Sequence, residues 1–362
     1  MHLRGLFERP ARPAAREPWQ AEDMSDAILV VSFGGPDGPG DVMPFLENVL
    51  RGRHVPRERM LEVAEHYYHL GGRSPINEQN RELIAALREL LDSEGPPLPI
   101  YWGNRNWHPL LPDTFARMKE DGITRAICFM TSAYSSYSGC RQYRENVMAA
   151  QQGAAQQGAA QQATGLETVK LRVFYNHPGF IEPMVERTAT ALAAAPGATL
   201  LFTAHSIPMS MADTSDYVKQ LEEASRLVAT GAGCLDYRLV YQSRSGPPTQ
   251  PWLEPDICLA IEQAAAAGAR HTVVVPIGFI SDHLEVLYDL DTEARQTAAD
   301  LGLGFTRVAS VGTDPRFIRM IRELVLERLD PTTPKRACGL YGPNHDVCPI
   351  DCCPAPVRPP NR

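Results

Sequence analysis

The 362-residue chain lacks the features that mark several protein classes. No apolar run reaches the roughly 20 residues that span a bilayer, so no integral membrane segment is expected. No basic stripe runs along any segment and the formal net charge is −8, which argues against nucleic acid as a partner. The glycine-rich turn SFGGPDGPG (32–40) has neither the G-x-G-x-x-G pattern nor a Walker lysine, which disfavours a nucleotide-using enzyme. The first 23 residues hold Arg and Pro but no apolar h-region. No secretory signal is therefore expected, and the expected address is the cytoplasm. For a cytosolic chain of this length, the eight cysteines are not expected to form a disulfide framework.

What is present is enough for a full core: 44% of the residues are hydrophobic, and the length suits two domains or one large α/β unit built in two halves. Short apolar runs predict strands at 27–33 (AILVVSF), 99–102, 125–131 (RAICFMT), 171–175, 199–203 (TLLFT), 237–242 and 271–277 (HTVVVPI). Helical patterns are expected at 41–50, 56–69, 77–92, from about 140, at 179–194, 216–230, 256–267, from about 281, and at 314–329. This alternation implies an α/β fold of two similar Rossmann-like halves, each a parallel sheet flanked by helices. The expected divisions are a flexible extension (1–25), a first half (26–148), an Ala/Gln/Gly linker or loop (149–167), a second half (168–330) and a Cys-rich tail (331–362). Ligands of such sheets bind beyond the C-terminal strand ends, which gathers Phe33, residues 131–138, His205 and residues 279–285 around one cleft.

Two segments at those strand ends carry candidate chemistry. From residue 281 the chain runs SDHLEVLYDLDTE; on a helix, Asp282, Glu285, Asp289 and Glu293 fall at i, i+3, i+7 and i+11, one acidic stripe. Such a stripe is ordinarily a solvated face. Here it starts where a buried strand ends, beside a histidine, and like charges at this spacing repel unless a cation offsets them. Carboxylates suit a weakly held, exchanging cation such as Fe²⁺. His205, in TAHSIP at the end of another strand, has a pKa near working pH and is placed to act as a base. The Ser-Ile-Pro that follows favours an extended turn that would set the ring direction. In the tail, Cys338, Cys348, Cys352 and Cys353 crowd together, and clustered thiols in a reducing compartment are more often metal ligands. Zinc is one reading, although spacings of ten, four and one are not a regular pair of zinc knuckles.

The segments SFGGP (32–36), GGRSPIN (71–77), TAHSIP (203–208), YQSRSGP (241–247), PWLEP (251–255) and SDHLEVLYDLD (281–291) occur in the order and spacing of ferrochelatases. The chain resembles that family over about 26–330, and its fuller wording is similar to the actinobacterial branch that metallates coproporphyrin III. The resemblance implies that His205 and Glu285 face each other across a porphyrin, as catalytic and metal-handling residues. It also implies that Asp282, Asp289 and Glu293 form an iron or proton path, and that Fe²⁺ and a porphyrin are the substrates. Phe33 occupies a position that faces the ring in relatives, where it can stack but not ligate. Arg51, Arg53, Ser74 and Tyr134 fit propionate-anchoring positions. The segment 56–70 is charged where membrane-associated relatives carry an apolar lip, so a soluble enzyme is expected, taken as a monomer. Several relatives hold a [2Fe–2S] cluster with three tail cysteines and one from the body. That implies ligands among Cys140, Cys338, Cys348, Cys352 and Cys353, with one of the last two spare.

Overall fold

The computed structural model describes residues 26–52, 55–156, 166–246 and 249–356. Strands β1 (Ala27–Ser32), β2 (Ile100–Asn104), β3 (Arg125–Met130) and β4 (Glu167–Lys170) form a parallel sheet in the order β2-β1-β3-β4. Strands β5 (Thr199–His205), β6 (Tyr237–Gln242), β7 (His271–Val275) and β8 (Gly304–Arg307) form a second in the order β6-β5-β7-β8. Relative to its own first strand, each sheet has the same order, so the expected α/β architecture of two like halves is present.

Around the first sheet run α1 (Val42–Val49), α2 (Arg57–His69), α3 (Ile76–Glu94), α4 (Leu111–Glu120) and α5 (Gln142–Gln156). The second carries α6 (Pro178–Ala194), α7 (Met209–Ala212), α8 (Tyr217–Gly231), α9 (Ile257–Ala266), α10 (Leu284–Val286), α11 (Arg295–Asp300) and α12 (Pro315–Leu329). Two π-helical stretches, Tyr137–Arg141 and Leu287–Ala294, lie at the strand-end side.

Every residue of β1 is buried, because a parallel strand covered by helices on both faces has no solvent side. That is why AILVVS shows no alternation. Helix starts follow capping chemistry: the Asp256 carboxylate accepts from Cys258 N (2.8 Å) at α9, and Asp314 accepts from Arg316 N (3.0 Å) beside Pro315 at α12. One continuous core joins the sheets, with Ile28 and Phe129 of the first and Phe202 and Val273 of the second in the same buried cluster. Inside it the fully buried Arg172 makes a two-bond pair with Glu327 (2.7 and 2.9 Å) and donates to the Arg336 carbonyl (2.9 Å).

The structure corrects the expected elements in several places. The fourth strand is Glu167–Lys170, not 171–175; the apolar run that follows is buried because it crosses within the shared core. Helix α4 and strand β8 were not foreseen. Helix α5 runs on through Gly153 to Gln156, into the segment read as linker. Residues 1–25, 157–165 and 357–362 lie outside the described residues. Among the described residues, no helix is long and apolar enough to cross a membrane.

Candidate active site

The strand ends of both sheets converge on one site. At the end of β1, Gly34 adopts φ +81°, and a Cβ there would lie 2.8 Å from the Asn104 Cβ, so the tight turn depends on glycine. Buried amides fix that turn: Asn77 Nδ2 donates to the Gly35 carbonyl (2.8 Å) and Asn80 Nδ2 to Ser32 Oγ (2.8 Å). Phe33 follows, edge-on to Phe45 (6.3 Å between centroids) and under the Arg105 guanidinium (5.6 Å).

His205 is the last residue of β5, paired in register with Gln242 of β6, rather than in the loop beyond the strand. The Tyr217 hydroxyl donates to its carbonyl (3.0 Å). Its Nδ1 lies against the Ser206 carbonyl, which can only accept a hydrogen bond. In the neutral ring the proton therefore sits on Nδ1, and Nε2 keeps its lone pair. That Nε2 lies 3.6 Å from Glu285 Oε2, with about a third of the imidazole and half of the carboxylate side chain open to solvent.

Glu285 lies in the single turn α10, and the chain then continues in the π-helix Leu287–Ala294. The expected four-membered stripe is reduced to three. Glu285, Asp289 and Glu293 follow one another along this segment, and their charges act on one another. Asp289 is pushed up to about 7, burial being the largest cause and the charges of Glu285 and Glu293 adding to it. Burial likewise raises Glu293, with Asp256 adding. Asp282 is a correction: helix formation begins only at Leu284, so Asp282 stays in the loop and leaves the stripe. Its carboxylate pairs with Arg307 (3.0 Å) and accepts from Ser310 N (3.3 Å).

Two partners escaped the sequence reading. Ser243 donates to Asp289 from a left-handed backbone (φ 62°), and Gln242 Nε2 reaches both the Glu285 carbonyl (3.2 Å) and Asp289 (3.4 Å). A non-glycine residue held at positive φ beside a carboxylate is strain of the kind found at functional sites. Both partners lie in YQSRSGP (241–247), a segment that carries the family resemblance but has no role in the sequence reading. Above the site, the charged helix α2 lays His66 flat on Tyr288 (3.9 Å, 9°), and burial pushes the His66 pKa down.

The expected anchoring residues scatter. Arg51 is exposed and lines a groove of about 520 Å³ with Asn48, Trp107 and His108. Arg53 lies outside the described residues. Ser74 is buried beneath Gly35, whose added Cβ would lie 2.7 Å from the serine Cβ, so it packs the turn rather than lining the cleft. Tyr134 is 2% exposed and donates to the Ile277 carbonyl (2.7 Å). It clamps the end of β3 to the end of β7 and offers no free hydroxyl to a ligand.

A second constellation lies at the tail. Cys140, in the π-turn before α5, is joined through its thiol to Cys348; Cys352 Sγ lies 3.6 Å from Cys353 Sγ. Donor atoms of His345, Cys348 and Cys352 lie within 4.8 Å of one another. The hydrogen bond from Cys140, with Lys170 beside it, holds the Cys348 thiol well below its usual range. Arg141 donates to the carbonyls of Ile350 (3.1 Å) and Cys352 (3.2 Å), drawing this loop onto α5. Cys338 lies apart from these thiols. It is buried in the main core, its amide donates to the Asn176 carbonyl (2.8 Å), and its nearest charges are Glu182, Arg336 and Glu223. Cys352 and Cys353 lie side by side in this thiol group. Four soft sulfur donors with a nearby imidazole fit a thiolate-held metal centre.

Comparisons with known proteins place the chain in a family. The family model described as Ferrochelatase matches residues 25–329. A protein named ferrochelatase from Rhodopirellula baltica is 56% identical, the match covering 92% of this chain and 95% of that one. Proteins named coproporphyrin III ferrochelatase from Frankia alni and Streptomyces coelicolor are 52% and 50% identical, covering 93% and 91% of this chain and 88% and 93% of theirs. Among solved structures, SirB from Bacillus subtilis matches with a TM-score of 0.53 at 10% identity, over 84% of this chain and 97% of that one, a likeness of fold alone. With the family model matching most of the chain and relatives 50–56% identical over more than nine-tenths of it, the chain belongs to the ferrochelatase family.

Proposed function

We infer that this chain inserts Fe²⁺ into coproporphyrin III, working as a soluble cytoplasmic monomer. The observation that carries the reading is the His205–Glu285 pair, 3.6 Å apart at the strand ends, with a carboxylate raised to about 7 behind it. Insertion releases two pyrrole N–H protons for each Fe²⁺ taken up. The Nε2 of His205, left free by the Nδ1 contact to the Ser206 carbonyl, accepts one of them. Glu285, Asp289 and Glu293 form a line of oxygens along which a weakly bound cation and the second proton exchange. No nucleotide is needed, because the metal–nitrogen bonds formed drive the reaction.

Coproporphyrin carries four propionates where protoporphyrin carries two. The exposed Arg51 beside the Phe33–Phe45–Trp107 aromatic cluster favours the more anionic ring. The names of the Frankia and Streptomyces relatives point the same way. At the tail, Cys140, Cys348, Cys352 and Cys353 would hold a [2Fe–2S] cluster, the donor set such clusters take. Bound there, the cluster would supply a structural tie between tail and body, and no insertion step passes through it. The deciding experiment is anaerobic Fe²⁺ insertion with coproporphyrin III and protoporphyrin IX in competition. A higher kcat/KM for coproporphyrin supports the reading, and a preference for protoporphyrin overturns the substrate assignment.

A further inference from the structure

Residues 281–283 lie in no helix or strand, yet Glu285 follows two residues later. A group that meets reacting atoms has to be held to a fraction of an ångström, and a bare loop does not do that. The loop is braced from outside. The Asp282 amide donates to Gln79 Oε1 (2.8 Å), and Gln79 Nε2 donates back to the Asp282 carbonyl (3.1 Å). One side-chain amide thus satisfies both polar groups of one residue, as a neighbouring strand would. The Asp282 side chain is held separately by Arg307, which also bonds Asp291 (2.9 Å) on the far side of Glu285. Arg307 is local to the second half. Gln79 is not: it comes from α3, 203 residues away, on the helix that also fixes the Gly34–Gly35 turn through Asn77 and Asn80.

We propose that Gln79 is a positioning residue for metal insertion: by clamping Asp282 it sets Glu285 opposite His205 and ties that carboxylate to the wall formed by the first half. The proposal rests on the reading of His205 and Glu285 as the inserting pair. Gln is required because the clamp needs a donor and an acceptor at one side-chain tip. Asn offers both but one methylene short; Met keeps the volume and offers neither.

The test uses the full-length protein as Gln79→Asn and Gln79→Met, with anaerobic Fe²⁺ insertion, porphyrin Kd from fluorescence quenching, and thermal melting. Gln79→Met is expected to lower kcat/KM for Fe²⁺ on the order of 10-fold, with Asn between Met and wild type, because loss of orientation affects the chemical step. Porphyrin Kd and Tm should stay near wild type, since Gln79 is partly exposed and its partner is main chain. Wild-type kinetics in Gln79→Met would overturn the proposal, as would a joint loss of porphyrin binding and Tm, which would make Gln79 a folding residue. Failure of the wild type itself to insert iron would sink the underlying functional reading instead.

Discussion

Replacing Asp289 with Asn probes the electrostatics of the site without changing its shape. The wild-type carboxyl is raised from an ordinary 3.8 to about 7, chiefly by burial. The folded state therefore holds this proton more tightly than the unfolded chain does. As pH rises from about 4 the unfolded carboxyl ionises first, so the group's contribution to stability falls through that window and levels off above about 7. At ~1.4 kcal/mol per pKa unit the full effect would approach ~4 kcal/mol; partial solvent access reduces it to roughly 2 kcal/mol. Asn cannot ionise, and its amide oxygen still accepts from Ser243. Urea denaturation at pH 5, 6, 7 and 8 should show the variant gaining on wild type as pH rises, and it should be the more stable protein at pH 8. Parallel stability curves for the two proteins would refute a raised Asp289.

The remaining expectations concern the tail and the core. Cys140→Ser, Cys348→Ser or Cys352→Ser should abolish bound iron and sulfide after anaerobic purification, whereas Cys338→Ser should keep them and lower Tm through its buried place in the core. Stoichiometric zinc in the wild type would replace the cluster by another metal, and Cys234→Ser serves as a neutral control. Glu327→Gln leaves the Arg172 guanidinium buried with its charge unmatched, which should cost ~3–5 kcal/mol in chemical denaturation, far more than a surface pair such as Arg59–Glu62.

Much of this was open to reading because buried parallel strands are written as unbroken apolar runs. AILVVS, RAICFM and HTVVV could be little else, and the residues after them had to lie at the cleft. Strand β8, GFTR, is short, half-buried and at an edge, so it carries no such run. Residues 171–174 carry one and are not a strand, since burial in the shared core and burial in a sheet select the same side chains. Helical periodicity placed Asp282 on the stripe, but the helix starts at Leu284, and Asp282 is bonded instead to Gln79 and Arg307, partners invisible to local pattern. Tyr134 illustrates a related limit: an aromatic in a polar loop suggests a ligand contact, while its hydroxyl is consumed by the Ile277 carbonyl 143 residues away. Spacing alone could not choose among the four tail cysteines and Cys140. The course of the tail is set by Asn176, which holds the carbonyls of Tyr341 and Gly342 (2.8 and 3.2 Å), and by Arg141, which holds those of Ile350 and Cys352.

The central claim is that His205 and Glu285 carry out insertion rather than merely binding the ring. It is tested most directly by single-turnover Fe²⁺ insertion into prebound coproporphyrin III by His205→Ala and Glu285→Gln. The backbone of His205 keeps its pairing with β6 and its bond from Tyr217, so the ring should still bind within a few-fold of wild-type Kd. The account predicts a loss of ~10²–10⁴-fold in the insertion rate for His205→Ala, the usual cost of removing a general base, and a comparable loss for Glu285→Gln. Retention of more than about a tenth of the wild-type rate by His205→Ala, with porphyrin bound, would contradict it.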